Sequence, residues 1–178
     1  KYISAFELPL KKKIKHFSKG MKMKCSLLFA LSHNPEVIIM DEPTSGLDPI
    51  FRRELLDILQ ELMINEKRSI FFSTHITTDL DKIADHIVFI YNGKVVFQKS
   101  MTEIEERYHL IKGKNEWVDT DTRDLFLGMT ESSHGFTALF EGDVSFFDEF
   151  EGDLLVEKAT LEDIMYFMTK GKRELQKK

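Results

Sequence analysis

The sequence predicts an α/β fold built on a parallel sheet, followed by a smaller α+β segment. Three observations carry this. Strand-like runs alternate with helical patterns through the first half: "EVIIMDE", then a helix from Asp48 to about Asn65, then "SIFFST", then a short helix over about Thr77–Ala84. The strand-like runs are apolar on both faces, as in a parallel sheet covered on each side. After about residue 108 the character changes to aromatics, acids and spaced glycines, as in "FTALFEG" and "VSFFDEFEG".

The elements follow in order. Residues 1–16 read as the end of a helix and then "LPLKKKIKHF", where Pro9 breaks any helix. From Gly20 to His33, apolar Met21, Cys25, Leu28 and Phe29 recur at helical spacing until Asn34-Pro35 stops the pattern. Asp48 can cap the next helix with Pro49 at its first position, and Leu55, Ile58, Leu59 and Leu62 make its apolar stripe. "HIVFIY" and "KVVFQK" flank Asn92-Gly93, a hairpin turn that adds an antiparallel edge. Ser100 and Glu103 make a capping box, and Thr160 with Asp163 makes another before "LEDIMYFMTKGK". Two domains are expected, residues 1–107 and a small accessory or dimerisation extension over 108–178.

Composition bounds the function. The 178 residues are 42% hydrophobic and 31% charged, which is globular. No apolar run reaches the ~18 residues of a membrane-crossing helix. No stretch reads as a secretory leader, and Cys25 is the one cysteine, so a reducing cytoplasm is expected. The net charge of −5 argues against nucleic acid as a partner. Charge is uneven: residues 1–24 hold eight lysines against Glu7, and residues 141–163 hold nine acids against Lys158. Scattered histidines without paired cysteines give no zinc pattern, and no G-x-S-x-G suggests a covalent nucleophile.

Two segments carry chemistry. A buried parallel strand delivers its last residues to the carboxyl edge of the sheet, where α/β proteins bind ligands. "VIIMDE" places Asp41 and Glu42 there. An Asp can hold Mg²⁺ through water, and a Glu beside it can orient or deprotonate an attacking water. "FFSTH" brings His75 to the tip of the neighbouring strand, where it can donate to a phosphate oxygen. In "FSKGM", Ser18 and Gly20 precede a helix whose free N–H groups and dipole favour an anion; by itself this is an ordinary N-cap.

Together these residues resemble the ATP-binding subunit of an ABC transporter, of the kind paired with bacterial ABC-2-type exporters. "FSKGM" is similar to the signature motif, "VIIMDEP" to the Walker B strand, "SGLDP" to the D-loop and "STH" to the switch-histidine loop. The order matches across about residues 15–95. The ending "ATLEDIMYFM" is similar to that of such subunits.

The resemblance implies a P-loop NTPase-type sheet, present in part, with a helical signature segment. It implies ATP and Mg²⁺, with Asp41 supporting the metal, Glu42 as general base or water-orienting group, and His75 sensing the γ-phosphate. Asp48 would communicate across a dimer interface. Ser18, Lys19 and Gly20 would meet the γ-phosphate of ATP held mainly by a second ATPase subunit, identical or not. A transmembrane permease would be the other partner, with the chain peripheral on the inner face of the cell membrane. The cargo is left open.

Two departures stand out. The signature usually reads Leu-Ser-Gly-Gly-Gln, whereas Lys19 and Met21 replace a Gly and the Gln here. Nowhere does G-x-x-x-x-G-K-[ST] occur, and the adenine-stacking aromatic and Q-loop are missing too. The chain is expected to be the C-terminal portion of a longer ATPase, and alone not to bind ATP well. The alternatives are a non-catalytic module that pairs with another ATPase, and a soluble member of the superfamily acting on ribosomes or DNA.

Overall fold

The computed structural model describes residues 6–64, 68–150 and 152–175. The helical reading of the extreme N-terminus falls mainly on residues 1–5, outside the described residues; Phe6 and Glu7 lie in a turn. The chain forms two compact units, Lys1–Ile83 and Ala84–Lys178.

The first unit packs helices on a two-stranded parallel sheet. Helix α1 is Lys19–Leu31, strand β1 is Val37–Asp41, helix α2 is Pro49–Met63, strand β2 is Ser69–Ser73 and helix α3 is Thr77–Ile83. Strands β1 and β2 run in register from Val37↔Ser69 to Asp41↔Ser73. Their inward residues Ile38, Met40, Ile70 and Phe72 pack on a core of Phe6, Leu27, Leu31, Leu55, Leu56, Leu59, Leu62 and Ile83. Leu55 and Leu59 are fully buried, each worth about 1.5–3 kcal/mol relative to exposure.

Two expectations are corrected here. The sheet is not covered on both faces: Val37, Ile39 and Phe71, the outward-pointing alternates, are 60–75% exposed. Only the α2 side of this sheet carries a packed layer among the described residues. Also, α1 turns Leu27 and Leu31 into the core, while Phe29 is 63% exposed and Cys25 is half-buried. The helix is apolar around most of its circumference, so spacing alone did not single out the buried stripe.

In the second unit, strands β3 (His86–Tyr91) and β4 (Lys94–Ser100) form the expected hairpin. Asn92 and Gly93 both take positive φ, 50° and 72°, as a tight two-residue hairpin turn requires. The hairpin is a two-stranded sheet of its own and pairs with neither β1 nor β2. Among the described residues its strands pair only with each other, so it stands as a separate sheet rather than as an antiparallel edge of the parallel one.

Helix α4 (Met101–Arg107) starts at the predicted capping box of Ser100 and Glu103. Then β5 (Tyr108–Gly113), the short helix α5 (Thr120–Asp124), β6 (Gly128–Ser132), β7 (Gly135–Glu141) and β8 (Leu154–Lys158) follow. The four strands form an antiparallel sheet in the order β6-β7-β5-β8. Ile111, Phe136, Ala138 and Phe147 form the core on one face. Helix α6 (Leu161–Leu175) closely approaches the sheet at Gly128, where a Cβ would sit 2.7 Å from the Phe167 carbonyl oxygen. Thr160 and Asp163 exchange the predicted capping hydrogen bonds at its start.

Candidate functional site at the strand tips

Parallel pairing fixes what meets at the carboxyl edge. Asp41, the last residue of β1, lies opposite Ser73, the last of β2. The Ser73 hydroxyl donates to Asp41 Oδ1 at 2.5 Å. The chain then leaves β1 through Glu42 at φ 47°, a left-handed conformation that costs a residue with a Cβ on the order of 1–2 kcal/mol. Its backbone N–H holds that bend by donating to the Ser73 carbonyl at 3.1 Å and to Ser73 Oγ at 3.2 Å.

This bend aims the Glu42 side chain across the edge. Glu42 Oε2 stands 2.8 Å from His75 Nδ1. The Glu42 and His75 side chains are 36% and 69% exposed, although Glu42 Oε2 itself is buried without a hydrogen-bond partner among the described residues, and Asp41 is exposed beside them. Asp41, Glu42 and His75 therefore share one solvent-facing edge, two strands wide. They offer two carboxylates and an imidazole whose Nδ1 lies within ion-pair distance of one of them. Among the described residues no three or more His, Cys, Asp or Glu side chains gather around a common metal position.

The helix-start residues are engaged locally. Ser18 caps α1, its Oγ accepting from the Met21 N–H at 3.2 Å. Gly20 lies against α2: a Cβ there would sit 3.1 Å from Phe51 Cδ1. Lys24 strengthens the same helix contact, with Nζ 3.3 Å from Glu54 Oε2 and 4.6 Å from the centroid of the Phe51 ring. Lys19 reaches over the turn between β1 and α2. A Cβ on Gly46, whose φ is +66°, would lie 2.3 Å from Lys19 Nζ. That cation thus rests against the turn of its own chain. Asp48 caps α2 as predicted, its Oδ1 accepting from the Phe51 N–H at 3.0 Å.

Sequence reasoning missed Ser73, Arg52 and Asp79. Ser73 ties both acids of the β1 tip, and the readable sign was a hydroxyl residue two positions before His75. Arg52, partly exposed, pairs with the buried Asp79, its Nε donating to Oδ1 at 2.8 Å. Each lies four residues after a predicted site residue, Asp48 and His75; Arg52 sits one helical turn beyond the Asp48 cap, and Asp79 lies in the first turn of α3.

The chain is similar over part of its length to several known proteins. A family model described as "AAA domain, putative AbiEii toxin, Type IV TA system" matches residues 12–80, a span that includes all seven predicted site residues. The lantibiotic transport ATP-binding protein SrtF of Streptococcus pyogenes is 40% identical over 89 residues, 50% of this chain and 38% of that protein. The bacitracin transport ATP-binding protein BcrA of Bacillus licheniformis is 36% identical over 97 residues, 54% of this chain and 32% of that one. The chain thus spans about a third of the length of the curated relatives it matches. A solved ATP-binding subunit of an ABC transporter is 33% identical, covering 58% of this chain and 44% of that one with a TM-score of 0.52. The expected fold class, a partial sheet of the P-loop NTPase type, is the one these neighbours have. The chain is a homologue of the ATP-binding proteins of ABC transporters, sharing with them the fold of the ATP-binding cassette over part of its length.

Proposed function

We propose that this chain supplies the hydrolytic edge of an ATP-binding subunit that powers a membrane exporter. The observation that carries the reading is the 2.8 Å contact of Glu42 Oε2 with His75 Nδ1 at the tips of adjacent parallel strands. Glu42 orients or deprotonates the attacking water, which needs a carboxylate held in place and still wet. With Nδ1 facing Glu42, His75 has Nε2 left to meet a terminal phosphate oxygen. The strained bend at Glu42, held by Ser73, keeps the base aimed without help from substrate.

Asp41 is the residue that would hold Mg²⁺. A single exposed carboxylate suits an ion that keeps most of its waters and takes its other oxygens from phosphates. When bound, the ion neutralises charge building up on the phosphoryl group. Ser18, Lys19 and Gly20 would face the γ-phosphate of ATP held by a second subunit. Asp48 would stand near that interface, and closure and reopening of the pair would be passed to a permease. The 178 residues hold no G-x-x-x-x-G-K-[ST], so by themselves they lack the loop that cradles the phosphates, and we read the chain alone as not competent for hydrolysis. No helix among the described residues is long and apolar enough to cross a membrane; the subunit would act at the inner face through its partner. Residues 108–178 would serve as an accessory or dimer-contact extension.

The test is Glu42→Gln in the native gene product that contains these residues. Steady-state ATP hydrolysis should fall by at least about a hundredfold, as expected for loss of a general base, while ATP binding persists. Turnover at the wild-type rate would remove Glu42 from its role. A second reading, a non-catalytic module that lends its signature helix to another ATPase, is motivated by the missing phosphate loop. It predicts that Glu42→Gln changes nothing while Ser18→Arg abolishes the partner's activity.

A further inference from the structure

We infer that Arg52 and Asp79 are positioning residues that lock the His75 loop to the helix capped by Asp48. The inference rests on the functional reading above. Asp79, in the first turn of α3, is 0% exposed. Its Oδ1 accepts from Arg52 Nε at 2.8 Å and lies 2.7 Å from an Arg52 terminal nitrogen. The same guanidinium donates to Thr78 Oγ1 at 2.9 Å. Three contacts from one planar group to two neighbouring residues fix α3 in rotation as well as in distance.

The pair reaches both halves of the site through backbone. The Arg52 N–H donates to the Asp48 carbonyl at 2.9 Å, so the guanidinium is rooted in the helical turn that Asp48 caps. On the other side, the Asp79 N–H donates to the Ile76 carbonyl at 3.1 Å, and the Ile76 N–H donates to Thr74 Oγ1 at 3.0 Å. His75 is spanned by the bond from Ile76 to Thr74, and the bond from Asp79 to Ile76 follows directly after it. Its side chain is 69% exposed, so packing does little to hold it over Glu42, and its position depends on where the loop is anchored. The anchor on its C-terminal side is Asp79.

A buried ion pair is a poor way to gain stability alone, because apolar side chains of similar volume do as well or better. What apolar packing does not reproduce is direction. A pair kept for direction at this place ties movement of the Asp48 cap to movement of His75. Any force on one is felt at the other without passing through the sheet.

The test has two arms. In the full chain, the His75 ring signals are followed by NMR in Arg52→Gln and in the double variant Arg52→Met with Asp79→Leu. The double variant guards against the unfolding that a lone buried Asp79 would cause. The inference expects the His75 signals to move toward those of Glu42→Gln in both variants, while the methyl signals of Leu55 and Leu59 stay dispersed. In the native ATPase, kcat should fall by about tenfold to a hundredfold, the cost of a small misplacement, with KM for ATP within about twofold. Arg52→Lys should recover part of the loss. Unmoved His75 signals in a folded double variant, or its full turnover, overturn the inference. If the wild-type protein shows no turnover, the functional reading fails, and the NMR arm still decides the coupling on its own.

Discussion

Ser73 serves Asp41 and the residue after it at once: its hydroxyl donates to Asp41 Oδ1 at 2.5 Å while its oxygen accepts from the Glu42 N–H at 3.2 Å. One small side chain at the end of β2 therefore ties down both Asp41 and the bend at Glu42 that follows it. Ser73→Ala should lower the stability of the first unit by about 0.5–1.5 kcal/mol, the net worth of such a hydrogen bond. Urea unfolding of the full chain checks this. Ser73→Thr keeps the hydroxyl and should recover most of the loss.

Asp48→Ala should cost about 1 kcal/mol by leaving the Phe51 N–H without its cap. Asp48→Asn retains an acceptor and should come within a few tenths of a kcal/mol of wild type. The two are compared by chemical denaturation. Equal losses would show that the charge, not the cap, carries the effect.

Gly46→Ala puts a Cβ on a residue at φ +66°. The strain is on the order of 1–2 kcal/mol, whereas the contact with Lys19 Nζ is relieved by swinging a flexible side chain. Removing that contact through Lys19→Ala in the same chain should therefore rescue little of the stability. Thermal unfolding of the single and double variants separates strain from clash; full rescue would show the clash dominates.

Tyr108 predicts an alkaline limit for the second unit. Its phenol is 1% exposed, and burial, aided by the Glu141 carboxylate, raises its pKa above the usual value of 10.0. The unfolded chain therefore releases this proton first. The stabilising contribution is intact below about pH 10 and is lost as pH climbs from there through the raised folded-state value. Tyr108→Phe should remove up to about 1.4 kcal/mol per pH unit of that slope. Denaturation midpoints measured from pH 8 to pH 11 give the comparison.

What the sequence showed and what it hid divide along physical lines. Local signals were readable because they depend on neighbours in the chain. Asp48 before Pro49, the Ser100–Glu103 box and Asn92-Gly93 each fold as expected. The meeting of Asp41, Glu42 and His75 was readable too, because parallel pairing brings the ends of strands together. Pairing partners of the hairpin were not, since its pattern suits an edge strand and a free ribbon equally. The buried stripe of α1 was hidden by apolar residues on several sides. The link between Arg52 and Asp79 spans two helices, and no periodicity encodes it. The position of Lys19 Nζ against Gly46 was hidden as well, because it depends on a turn that lies far along the chain.

The uncovered side of the β1–β2 ribbon governs how this polypeptide behaves in a tube. Val37, Ile39 and Phe71 present an oily strip to solvent, and among the described residues each strand keeps one margin of peptide groups without a strand partner. Amphiphilic dyes, chaperones and sister molecules all compete for such a strip. Recovered monomer should therefore decline with concentration and rise with mild detergent, and placing a Lys at Ile39 should improve yield without disturbing the opposite, packed side.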